Sequence, residues 1–109
     1  MPITLAFRTR ELREVCERPD QAHLPLPPRH LRDLRECLAT IEAARSALEL
    51  TTLPGLSAER AGEGWRFRLR SATVVVVCNH YGERTPKRED GSVDWGRVRR
   101  LRIEEVGLD

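Results

Sequence analysis

With 109 residues, 39% hydrophobic and 33% charged, the chain has material for one domain with a single small core, and its composition excludes a disordered polymer. The formal net charge of +2 excludes a strongly acidic or strongly basic protein, so any polyanion-binding surface has to come from the placement of charge rather than its total. No apolar run reaches the length of a membrane span and the N-terminus has no signal-like apolar segment, which predicts a cytoplasmic protein with no membrane partner.

Residues 3–7, ITLAF, suit a short first strand. Thr9 follows as an N-cap, with Glu11 in the first turn, for a helix through Leu12, Val15 and Cys16 that stops before Pro19. The proline-rich PDQAHLPLPP is a connector. Pro28 fits a first helical position, and Leu31, Leu34, Leu38 and Ile41 then recur at spacings of three and four, the mark of an amphipathic helix. On its outer face Arg29 with Asp33 and Arg32 with Glu36 are four apart and read as solvated ion pairs. TTLPGL, residues 51–56, breaks the pattern at Pro54 and Gly55.

After this break the period falls from 3.6 to 2. Trp65 to Arg70 reads as a strand, Ser71 to Thr73 as a tight reversal, and Val74 to Cys78 as a second, central strand that is apolar on both faces. Residues 82–96 form a polar excursion with a turn at Asp90 and Gly91, and Arg97 to Val106 reads as the last strand. Trp95, within the excursion, is expected to plug the sheet edge, with a recognition anchor as the other reading. The order of strand, two helices and a three-stranded antiparallel meander predicts a single α+β domain over residues 1–109, with the helices packed on one face of the sheet. Cys16, Cys37 and Cys78 are widely spaced and odd in number, and no CxxC pair occurs with histidines at ligand distance. They read as small buried hydrophobes, with no disulfide, metal site or cofactor indicated.

Alternation then assigns faces. Trp65, Phe67 and Leu69 fall on one side of an extended chain and Arg66, Arg68 and Arg70 on the other. The apolar side has to meet the leucine stripe of the second helix, which leaves the arginines on the open face. Basic character is also segregated along the chain. Residues 1–55 carry equal numbers of basic and acidic side chains, whereas residues 56–102 carry 11 basic against 6 acidic. Arg100 and Arg102 share one face of the last strand.

Taken with this order of elements, the helix PPRHLRDLRECLATIEAARSALEL with its TTLPGL exit and the strand WRFRLRS resemble the RelE/ParE superfamily of bacterial toxins from toxin-antitoxin systems, in particular RelE and HigB. The resemblance covers most of the chain. It implies a RelE-like fold and a toxin of a type II system that cleaves mRNA in the ribosomal decoding site by attack of a ribose 2′-hydroxyl on the adjacent phosphate, inhibiting translation. It implies two partners, ribosome-associated mRNA and a small cognate antitoxin that covers the same basic face. Arg66 and Arg68 stand where RelE has two strand lysines with catalytic roles. Arg60 stands where HigB-type proteins carry a lysine, and Arg60, Arg70, Arg100 and Arg102 complete the expected RNA-binding set.

The chain departs from that family in two places. Thr73, Val74 and Val75 occupy the region where the family has an arginine, and IEEVGLD has no counterpart to its C-terminal tyrosine or histidine. A guanidinium clamps phosphate and stabilises developing charge, but it stays protonated near neutrality and is a poor general base. His80 and Tyr81 are the attractive chemical types for proton transfer. A meander, however, puts them at the opposite end of the sheet from the Ser71 reversal. His23 and His30, flanking the proline connector, reach the sheet rim only if that loop folds over. Glu59 and Glu63 are expected to bound the basic face. Two readings therefore stand side by side: an mRNA endoribonuclease, or a non-catalytic member of the fold, either a ParE-like gyrase-binding toxin or a protein that binds RNA or antitoxin without cleavage.

Overall fold

The computed structural model describes residues 3–18, 27–79 and 85–108. Along the described residues come strand β1 (Thr4–Phe7), helices α1 (Arg10–Glu17), α2 (Pro28–Ala43) and α3 (Ala47–Leu50), strands β2 (Ser57–Ala61), β3 (Gly64–Leu69) and β4 (Ala72–Cys78), a 3-10 turn at Trp95–Arg97, and strand β5 (Arg100–Leu108). The architecture is α+β, built on one open five-stranded mixed sheet in the order β1-β5-β4-β3-β2. β1 runs parallel to β5, and every other neighbouring pair is antiparallel.

Local signals placed the helices well. The Thr9 hydroxyl accepts from the Leu12 N–H at 3.1 Å, capping α1, and Pro28 occupies the first turn of α2, where its missing N–H costs no intrahelical bond. Leu34, Cys37, Leu38 and Ile41 of α2 are buried against Phe67, Val74 and Val76 of the sheet, joined by Leu101 and Ile103 of β5. β4 is the middle strand, as its apolar run suggested.

The meander has four strands rather than the expected three. β2, missed in the sequence, pairs with β3 through a short turn at Gly62 and Glu63, and Gly62 adopts a left-handed φ of +57°. Its sequence SAERA carries no apolar alternation, because an edge strand needs little burial. The second helix, expected to run on to the TTLPGL break, instead stops at Ala43 with Ala44 extended and resumes as the one-turn α3. This turn buries Ala47 and Leu50, and Ser46 caps it. The β3–β4 reversal is tighter than predicted, with Arg70 and Ser71 as its two loop residues and Arg70 at φ +52°. β5 begins at Arg100 rather than Arg97, since residues 95–97 wind into the 3-10 turn that packs beside α3.

On the face away from the helices, strand register forms rows across the sheet. Glu59, Arg66, Val75 and Glu105 make one row, and Ser57, Arg68, Thr73 and Gly107 the next. Gly64 continues the face toward the other end, and a Cβ there would overlap the Val76 carbonyl, so close strand approach demands glycine. A β-bulge at Val75/Val76 sets two residues of β4 against Ile103, Glu104 and Glu105, so that both glutamates join this open face.

Candidate nucleic-acid interface

Arg66 and Arg68 stand on the uncovered face, as their alternation with Trp65, Phe67 and Leu69 requires. They border a shallow hollow of about 250 Å³ floored by Thr73 and Val75, with Glu105 on its far side. The Thr73 Oγ1 is buried there and has no hydrogen-bond partner among the described residues. Arg66 donates from Nη1 to Glu59 Oε1 at 2.5 Å across the β2–β3 pair. Arg100 and Arg102 share this face on β5, with Arg102 opposite Val77. Arg102 bonds Glu104 through both Nε and Nη2, at 2.9 and 3.2 Å, and those bonds push the guanidinium pKa further up. The basic face is thus interleaved with carboxylates, which reduces its field toward a polyanion and supplies side chains of proton-accepting type beside the arginines.

Two members of the expected RNA-binding set stand elsewhere. Arg70 does not share the open face with Arg66 and Arg68. Its left-handed backbone turns the side chain back over α2, where Nε donates to Asp33 Oδ1 at 3.1 Å and Nη2 pairs with Glu36. Arg60 lies opposite Trp65 in register and so on the other side of the sheet from Arg66. Its guanidinium carbon is 5.1 Å from the Trp65 ring centre and 5.4 Å from that of Trp95. Trp95 meets Trp65 edge-on, with centroids 6.1 Å apart at 85°, and packs against the core, which fits the plug reading.

The predicted Arg29–Asp33 surface pair is replaced by a buried anchor. Asp33 is 7% exposed and accepts from the Ser71 N–H, the Ser71 hydroxyl and Arg70. These bonds, led by the hydroxyl, hold its carboxyl down at about 2. His30 places Nδ1 2.9 Å from the Ser71 Oγ, reaching the reversal from α2 itself without any folding-over of the connector. Since the single hydroxyl hydrogen goes to Asp33, the ring donates to Ser71. That order is the reverse of a hydrolase triad, in which imidazole accepts the serine proton, so the cluster ties the reversal to the helix and does not activate a nucleophile. No sequence signal marked Asp33 and Ser71, because their meeting depends on where the reversal lands. His23, His80 and Tyr81 lie outside the described residues.

A second, larger cleft of about 890 Å³ opens at the Gly64 end of the sheet, between the β2–β3 turn, the end of β4 and residues 85–95. The 85–95 excursion is held by a bridge between Lys87 and Val93 and by a turn in which Asp90 Oδ1 accepts from Ser92 N and Oγ at 2.9 and 2.6 Å. Arg60 and Arg102, from opposite faces, both line the cleft, together with Lys87 and Arg88, which had not been singled out despite the basic pair in TPKRED.

Of the three cysteines expected to be buried, only Cys37 is fully so, while Cys16 and Cys78 are half-buried; the Cys16 and Cys37 thiols are each pushed up to about 12, chiefly by burial, in keeping with packing rather than reactivity. Among the described residues no group of three or more His, Cys, Asp or Glu side chains is arranged to hold a metal, and no helix is long and apolar enough to cross a membrane. No protein-family model, no curated protein and no solved structure matches this chain.

Proposed function

We propose that this protein is a RelE/HigB-like toxin domain that engages mRNA on the ribosome through the open face of its sheet and is neutralised by a small antitoxin covering that face. The observation that carries the reading is the placement of Arg66 and Arg68 side by side on the uncovered face, beside a hollow with Thr73 at its floor. Guanidiniums so placed suit bidentate contact with phosphate oxygens and stabilisation of the extra charge on a phosphorane. Proton abstraction from the 2′-hydroxyl would fall to another group, and carboxylates are the proton-accepting type beside these arginines. The order of strand, helices and antiparallel meander, with the helices on the opposite face, is consistent with a RelE-like fold. A role on the ribosome implies a cytoplasmic location.

Controlled expression in bacterial cells, followed by mapping of mRNA 5′ ends, tests the reading. New ends inside coding regions are expected, and should vanish with Arg68→Ala. Growth arrest with intact mRNA would instead favour the non-catalytic reading. One feature supports that second reading: Glu59 already holds Arg66, so one of the two guanidiniums needed to stabilise a phosphorane is engaged by a carboxylate. A gyrase supercoiling assay would then separate a ParE-like toxin from a protein that only binds RNA or antitoxin.

A further inference from the structure

Arg102 belongs both to the open face and to the cleft at the Gly64 end of the sheet. Val77, opposite Arg102 on the same face, and Glu104 beside it also line the cleft, so the cleft opens onto the face that carries Arg66 and Arg68. Along β3, Arg68, Arg66 and Gly64 are each two residues apart, a step of roughly 6.6 Å, close to the length of one nucleotide of extended single strand. The cleft carries Arg60, Lys87, Arg88 and Arg102 against the two carboxylates Glu63 and Glu104, and Glu104 is turned onto Arg102 by the paired bonds already described. Lys87 and Arg88 are exposed on a segment braced from within, by the Lys87–Val93 bridge and the Arg88 N–H to Ser92 carbonyl bond at 2.8 Å. The backbone that carries them is therefore braced before any ligand arrives, which lowers the entropic cost of binding.

We propose that this cleft is a second phosphate site on the same track: it takes the backbone of single-stranded RNA one to two nucleotides beyond the phosphate held by Arg66 and Arg68, with Lys87 and Arg88 as its contacts. The proposal rests on the RNA reading of the open face and extends it by giving the ligand a direction, along β3 from Arg68 toward the β2–β3 turn. An antitoxin could compete for the cleft, but the continuity with the arginine row and the nucleotide-length step favour a polynucleotide.

The test compares a dinucleotide with a hexanucleotide, both single-stranded RNA with a fluorescent end label, by anisotropy at several salt concentrations. The hexanucleotide should bind the protein at least several-fold more tightly. Lys87→Ala/Arg88→Ala should remove that advantage and reduce the salt slope for the hexanucleotide by about 1.4, the value for two lost phosphate contacts on a single strand. Dinucleotide binding should be unchanged by the double substitution, and Arg68→Ala should weaken both ligands. Length-independent affinity, or an unchanged hexanucleotide affinity in the double variant, overturns the cleft and leaves the open-face reading standing. Failure of both ligands to bind overturns the RNA reading of the face and the cleft with it. Both substituted side chains are exposed, and an unchanged circular-dichroism melt confirms that any loss comes from the contacts.

Discussion

Ser71 is bound to Asp33 twice, its backbone N–H and its hydroxyl both donating to Oδ2, at 3.2 and 2.5 Å. The pair joins the β3–β4 reversal to the first turns of α2 and, through Arg70 Nε, fixes the one described non-glycine residue with a positive φ. A left-handed arginine is sparsely populated, and the bonds from its neighbour and its own side chain to a single carboxylate offset that cost.

Removing the hydroxyl should therefore destabilise the fold with little effect on the arginine face. Ser71→Ala is expected to cost about 2 kcal/mol, as for a buried hydrogen bond to a charged acceptor. Asp33→Asn, which disturbs three donors at once, should cost more than Ser71→Ala. Urea denaturation of the two variants beside the parent checks both the size and the order.

The same carboxylate predicts an acid limb. Asp33 is lowered from its ordinary 3.8 to about 2, so the folded state binds this proton less readily than the unfolded state. The stabilisation is full above pH 4 to 5, declines as pH falls through 3.8, and is gone once pH drops below about 2. In melts from pH 6 to pH 2, the stability gap between parent and Asp33→Asn should narrow steadily below pH 4. A gap constant over that range would show that the carboxylate charge is not what holds Ser71.

Arg66→Ala and Arg68→Ala should leave thermal stability nearly unchanged, since both side chains lie on the uncovered face and an exposed pair such as Arg66–Glu59 contributes less than about 1 kcal/mol. Each should weaken binding of single-stranded RNA and lower the salt slope by about 0.7 per lost contact. Glu59→Gln should act in the opposite sense. With its carboxylate gone, Arg66 is free to meet phosphate, and RNA affinity measured by anisotropy should rise a few-fold.

Trp95 and Arg60 should separate packing from charge. Trp95→Ala removes a half-buried ring that meets Trp65 edge-on and is expected to cost about 2 to 3 kcal/mol in denaturant titrations. Arg60→Ala loses an exposed cation beside two rings and should cost no more than about 1 kcal/mol. A large loss for Arg60 and a small one for Trp95 would mean that the charge, rather than the ring, closes this end of the core.

What the sequence determined by itself was everything carried by short-range period and by caps. Thr9 and Pro28 begin their helices because their backbone chemistry leaves few alternatives. Phe67 and Arg66 are sent to opposite faces by a side-chain period of 2, and the stripe ending at Ile41 finds Phe67 because no comparable apolar surface competes. Tertiary structure alone decided the rest. SAERA becomes β2 only because β3 offers it an edge, a gain written in backbone hydrogen bonds that side-chain pattern does not record. Asp33 sits four residues from Arg29 and looks like half of a surface pair. It became a buried anchor because a two-residue reversal, one residue earlier than its sequence suggested, delivers Ser71 to it and turns Arg70 away from the open face. Arg60 and Arg102, on opposite faces by register, meet in one cleft because β3 begins at Gly64 while β4 and β5 stay paired beyond it, and the 85–95 excursion lies against that end. Alternation fixes the side of a sheet, but the partners across it depend on strand register and on where each reversal falls, and these are set by contacts between residues far apart in the chain.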